Sequence, residues 1–200
     1  YGVTDAAMGC PVRSSMEVVG IDRGCLGLPL FMDKHAYESD GVILVNRIKP
    51  HTAFHGDYES GLIKMSIIGL GKERLASEIH RYGVYGLKTL MPEAGKRILA
   101  TGKVVLGLGI VENAYDETAI IEALTPAEIV AREPQLLNTA KQMMPRLPLE
   151  EIDVLVVDQN GKNISGSGMD PNVIGRMRIR GAQSSESPSV VQKRSHQRIF

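Results

Sequence analysis

Gly41-Val-Ile-Leu-Val-Asn46, running straight into Arg47-Ile-Lys-Pro-His51, is the stretch that decides the fold of this 200-residue chain. Its apolar, mostly β-branched residues are continuous rather than alternating, the pattern of a strand buried on both faces in a parallel sheet. Working outward, Lys103 to Val111 and Ile152 to Asp158 repeat that pattern. Between the first two runs, Leu87 to Ala100 carries apolar residues at helical spacing and ends at Thr101-Gly102, where a glycine C-terminal cap is expected. Thr125-Pro-Ala-Glu128 reads as a capping box with proline at the first helical position, so a helix opens there. Pro134 is expected to break or restart it, and Gln135 to Met144 to continue it until Pro145 and Pro148. Strand, helix, strand, helix, strand predicts an α/β fold: a layered, mostly parallel, Rossmann-like sheet with helices on both faces.

Composition narrows the partners. Lys plus Arg balances Asp plus Glu at 23 each, so no electrostatic argument favours nucleic acid or an anionic membrane. The longest apolar runs fall far short of the roughly 20 residues of a spanning helix. Cys10 and Cys25 form no paired motif, which indicates neither a disulfide framework nor a thiolate zinc site and points to a reducing, cytoplasmic setting.

Chemistry-bearing residues crowd between His51 and His80, just past the first strand, where ligands bind in open α/β proteins. Lys64 and His80 are 16 residues apart. On one unbroken helix they would lie about 24 Å apart along the axis, on nearly opposite faces. Gly69 and Gly71 supply a break: a helix carrying Lys64 could stop there, and a second, from about Lys72 to Tyr82, could fold back with His80. Gly56, Ser60 and Gly61 precede the lysine, and amides at a helix start attract phosphate or carboxylate. Neither Ser60-Gly-Leu-Ile-Lys64 nor Gly69-Leu-Gly-Lys72 completes a Walker or dinucleotide motif. Taken singly, Lys64 reads as a solvated helix lysine and His80 as a boundary residue. His51 is the better candidate, His55 fits either role, and His35 and His196 read as surface. Arg13, Arg47 and Lys49 suit a cofactor phosphate or a substrate carboxylate, with surface ion pairing the equal alternative.

Several motifs in order then carry a resemblance: Asn46-Arg-Ile-Lys-Pro-His-Thr52, Glu59-Ser-Gly-Leu-Ile-Lys-Met65, Ile68-Gly-Leu-Gly-Lys72, Ile79-His-Arg-Tyr-Gly83, Val111-Glu-Asn-Ala-Tyr-Asp-Glu117 and Asn163-Ile-Ser-Gly-Ser-Gly-Met-Asp-Pro-Asn172. From about residue 1 to 178 the chain resembles the lactate racemase family that uses a nickel-pincer nucleotide, in its less studied isomerase branch. The resemblance implies a cofactor attached covalently to Lys64, preceded by Ser60 and Gly61, with His80 completing the coordination of nickel. It implies an acid/base histidine upstream of the lysine, best matched by His51 with His55 as the alternative; Arg47 and Lys49 stand beside it as cofactor-binding candidates on their charge alone. It further implies a 2-hydroxy acid substrate, cofactor-biosynthesis enzymes as partners, and racemisation or epimerisation by reversible hydride transfer. Such a route avoids a carbanion at an unactivated carbinol carbon, and imidazole suits both nickel binding and proton transfer near neutral pH.

The family's substrate-binding arginine motif, its second acid/base histidine and its C-terminal domain have no counterpart here. The expectation is therefore a partial cofactor-attachment domain over residues 1–178, holding half a site and lacking groups the family uses for activity. Residues 179–200, Ser-rich and then basic, read as a disordered or out-of-frame tail. Two further readings use the same segment: a non-catalytic nucleotide- or phosphate-binding α/β module, and a Schiff-base enzyme using Lys64 or Lys72.

Overall fold

The computed structural model describes residues 2–25, 27–149, 152–161 and 168–175. Short helix α1 (Asp5–Met8) leads to strands β1 (Val18–Cys25) and β2 (Leu28–Asp33), an antiparallel pair that the apolar runs did not announce. Helix α2 (Lys34–Glu38) and strand β3 (Val42–Arg47) follow. A helical layer comes next: α3 (Leu62–Lys64), a π-helical segment (Met65–Gly69), α4 (Lys72–Arg81), α5 (Gly83–Tyr85), a second π segment (Gly86–Leu90) and α6 (Met91–Ala100). Strands β4 (Val104–Glu112) and β5 (Thr118–Leu124), the long helix α7 (Pro126–Met143) and the short α8 (Pro171–Ile174) complete the described elements.

The fold is mixed α/β. β3 and β4 pair in parallel across the helical crossover, as their continuous apolar runs predict, but β5 returns antiparallel to β4 and makes a mixed three-stranded sheet in the order β3-β4-β5. Helices cover one face, where Leu44, Gly107, Gly109 and Val111 are buried; Ile43, Val45 and Ile121 on the strands stay exposed. Both faces of β3 carry apolar residues, so the sequence alone could not show that one lies open. The run expected as a third parallel strand, 152–158, forms no strand, and Val154, Val156 and Val157 are exposed. β-branched residues favour a pleated, half-buried surface, but the preference takes effect only beside a partner strand. The expected tail, residues 179–200, lies outside the described residues.

Helix α7 opens at its capping box, with Thr125 and Glu128 exchanging bonds as expected. It does not break at Pro134. Proline removes the amide that would serve the carbonyl four residues earlier, here Val130, and in this fold the Tyr58 hydroxyl donates to that carbonyl at 2.6 Å. The interruption is thus repaired from outside the helix, and α7 runs on to Met143.

Close packing sets the helices on the sheet. A Cβ on Gly107 would come within 2.8 Å of both Leu62 and Ile129, and one on Gly109 within 2.7 Å of Ile48. Two apolar clusters result. Leu62 and Ile63 join Leu44, Val104, Ile129 and Leu136 in one, whereas Ile67 joins Met32, Leu75, Ile79 and Met91 in the other. Leu70 packs against both, so the short helical stretch that carries Lys64 is wedged between two cores. Among the described residues no helix is long and apolar enough to cross a membrane.

Candidate functional site

The loop between β3 and α3 is closed at its base by paired backbone bonds between Lys49 and Ser60, at 2.9 and 3.2 Å. The Asn46 side-chain amide ties the far end by donating to the Gly61 carbonyl at 3.0 Å. Inside the loop Phe54 is buried, and the His51 ring lies 4.6 Å from its ring centre. A loop of this length with its own buried anchor is held in one shape, which fixes its histidines relative to α3.

Glu59 holds the loop from within. Its side chain is fully buried, and its carboxylate accepts from the His51 amide at 2.6 Å, the Gly56 amide at 3.2 Å and the Lys141 ammonium at 2.7 Å. The His55 Nδ1 lies 3.3 Å from each of its oxygens. Burial alone would raise this carboxyl; the bonds from His55, Lys141 and the His51 amide outweigh it and hold the group below its ordinary value. It is an anion at neutral pH.

A second buried carboxyl stands at the start of α3. Glu133, from α7, accepts from the Ile63 amide at 3.0 Å, while its other oxygen has no partner among the described residues. Burial pushes it up to about 7, against the opposing pull of the Ile63 and Leu62 amides. A Cβ on Gly61 would collide with this carboxyl, lying 2.7 Å from its carbon. The glycine that suggested a phosphate cradle therefore makes room for an internal cap, and the amide cluster at this helix start is already occupied by Glu133.

Lys64 follows directly, half-buried, and its ammonium is disfavoured first by burial and then by the nearby Lys49, so its pKa is lowered. The expected change of direction before His80 is present. The π segment Met65–Gly69 follows the lysine, and Lys72 then adopts a left-handed φ of 54° while its ammonium pairs with Asp33 at 3.1 Å. That pairing uses the Lys72 amine, which leaves Lys64 as the amine of the two without an ion pair among the described residues. His80 ends up exposed in the last turn of α4.

His51 reports on the convergence. It is held down to about 4, first by burial and then by the charges of Lys64, His80 and His55, opposed by Glu59. Lys64 and His80, 16 residues apart in the chain, thus both lie within electrostatic reach of one imidazole. Hydrogen-bond partners assign the protons. His51 Nδ1 accepts from the Ala53 amide at 3.0 Å, so the neutral ring carries its proton on Nε2 and presents a donor. His55 Nδ1 faces the Glu59 carboxylate and His80 Nδ1 donates to the Ala76 carbonyl at 2.6 Å, so in the neutral form of either ring Nε2 is the acceptor.

Of the residues expected in the site, the structure groups His51, His55, Lys64, His80 and Lys49, with Ser60 and Gly61 shaping the backbone beneath them. Arg47 lies apart, paired with Glu112 at 2.6 Å on the sheet, and Arg13 is exposed beside Asp5. His35 is exposed as expected, and His196 lies outside the described residues. Sequence reasoning passed over Glu59, Lys141, Glu133 and Asn172, whose side-chain amide donates to the His51 carbonyl at 3.2 Å. A signal existed for Glu133: it falls on the apolar stripe Ile129, Leu136, Leu137 and Ala140 of α7, where an unexplained carboxylate calls for a partner. Among the described residues no three His, Cys, Asp or Glu side chains are arranged to hold a metal ion. The chain matches no protein-family profile, and comparison with curated proteins finds no match either.

Proposed function

We propose that this chain is the cofactor-attachment part of a nickel-pincer-dependent racemase or epimerase of 2-hydroxy acids. The observation that carries the reading is the convergence of Lys64, with its lowered pKa, and two imidazoles on His51. Burial and the neighbouring Lys49 disfavour the ammonium, which eases the loss of the proton that a nucleophilic tether lysine must give up. The donor set fits a tethered metal group better than a bare ion: the described residues supply no cluster for a naked cation, yet His80 offers one imidazole with a free Nε2, enough for a group that brings its other ligands. When bound, the pincer supplies an electron-poor carbon able to take hydride from a carbinol carbon and to return it.

The chain's own residues do the rest. His55, with its bare Nε2, is the group suited to take the substrate hydroxyl proton, and His51, with Nε2–H, to donate a hydrogen bond to the same oxygen. Lys49 is the cation available to a substrate carboxylate or cofactor phosphate, since Arg47 is engaged by Glu112. The Rossmann-like, two-sided layering belongs to the same proposal, and the exposed apolar sheet face at Ile43, Val45 and Ile121 supports it as the surface a second helical layer would cover. A cytoplasmic site of action and cofactor-biosynthesis enzymes as partners are part of this reading. A plain phosphate-binding module is disfavoured because Glu133 fills the helix start.

Mass spectrometry of protein co-expressed with the pincer-biosynthesis enzymes tests the reading. The peptide containing Lys64 is expected to carry the adduct, with nickel bound and both lost in Lys64→Ala. Unmodified Lys64 and no nickel in such material would sink it.

A further inference from the structure

We propose that Glu59 is the positioning residue of this site: anchored to α7 through Lys141, its carboxylate sets His55 and His51 in opposite tautomers. The inference rests on the reading of His55 and His51 as the pair acting on a substrate hydroxyl. Four donors converge on one buried carboxylate: the His51 and Gly56 amides, the His55 ring and the Lys141 ammonium. Each has a separate consequence. The His55 contact keeps that ring's proton on Nδ1 and leaves Nε2 as an acceptor. The His51 amide contact holds the backbone turn in which the Ala53 amide reaches back to His51 Nδ1 at 3.0 Å, and so keeps that ring's proton on Nε2. Lys141 supplies the charge without which an anion so deeply buried would take up a proton and stop accepting from His55.

The helix that provides Lys141 also provides the other supports of the segment. Val130, Glu133 and Lys141 share one face of α7 and touch Tyr58, Ile63 and Glu59 in turn. The site loop and the Lys64 helix are therefore registered on a single rigid element, which is what positioning of catalytic groups requires. Glu59 itself touches no reacting atom; it acts through the two rings.

Long-range proton–nitrogen NMR of ¹⁵N-labelled protein at pH 7.5, without cofactor or substrate, reads the tautomers directly. Wild type is expected to show His55 with a lone pair on Nε2 and His51 with a lone pair on Nδ1. In Glu59→Gln, His55 is expected to lose that preference and move its proton largely to Nε2. The double variant Glu59→Gln/Lys141→Met removes both charges together and is expected to show the same change while remaining folded. Wild-type His55 carrying its proton on Nε2 overturns the proposal even if neither variant folds, as does a folded Glu59→Gln with unchanged rings. Because the spectra need no loaded cofactor, an unmodified Lys64 peptide would sink the racemase reading and leave the tautomer result standing.

Discussion

Replacing Glu133 with glutamine makes the protein's stability respond to pH in a way that isolates one buried carboxyl. Glu133 is buried within the stripe of α7, capped onto the Ile63 amide, and shifted from its ordinary 4.5 to about 7. In the folded protein it keeps its proton between those two values, whereas in the unfolded chain it has released it. Its contribution is fully present below pH 4.5 and is lost as pH rises through about 7. The loss between pH 5 and 8 amounts to about 2–3 kcal/mol, since each tenfold difference in proton affinity between the folded and unfolded chain corresponds to about 1.4 kcal/mol. Glutamine cannot ionise, yet its amide oxygen can still accept from Ile63. Whatever the amide costs in the cavity is the same at both pH values and cancels in the comparison. Urea unfolding of wild type and Glu133→Gln at pH 5 and pH 8 measures the difference. For a chain of this size the variant's midpoint should gain roughly 1 M of urea on wild type between the two conditions. An offset equal at both pH values would refute the assignment of a raised pKa to this carboxyl, and with it the picture of a sealed cap at the start of α3.

His51 should act with the opposite sign: neutral and lowered from 6.5 to about 4, it contributes stability above pH 6.5 that is lost as pH falls toward 4, so His51→Gln should flatten the acid limb of a pH–stability curve. Tyr58→Phe should cost about 1–2 kcal/mol by orphaning the Val130 carbonyl, and much less in a Pro134→Ala background, where an intrahelical amide becomes available; a thermal or urea double-mutant cycle that shows no coupling would refute the repair. Gly107→Val should destabilise by about 1–3 kcal/mol through overpacking against Leu62 and Ile129, measured by the shift in urea midpoint, with a neutral result arguing against helices seated directly on β4.

The contrast between α7 and the segment 152–158 shows how far local pattern reaches. Both were marked by short-range signals: a capping box and a proline in one, β-branched residues in the other. The capping box held because Thr125 and Glu128 are three residues apart and close on each other without help. The proline break and the expected strand did not, because each depended on a partner elsewhere: Tyr58 was present to repair the helix, and no neighbouring strand among the described residues pairs with 152–158. The hairpin β1–β2 was missed for a related reason. Its residues around Gly20 and Asp22 include bulges in register and no long apolar run, so pairing, not propensity, makes the strands.

For the site, the sequence by itself determined the inventory and the interval: a lysine, three histidines and glycine-rich turns beyond a parallel strand, with a change of direction required between Lys64 and His80. Chain connectivity fixes those. Only the tertiary structure decided which imidazole nitrogen is free, which amine is spent on an ion pair, and that the helix start is filled by Glu133 rather than open to an anion. Two of these rest on contacts between segments far apart in the chain, Lys72 with Asp33 and Ile63 with Glu133. A proton's position and a carboxyl's pKa depend on what surrounds them in space, and spacing along the chain carries no record of it.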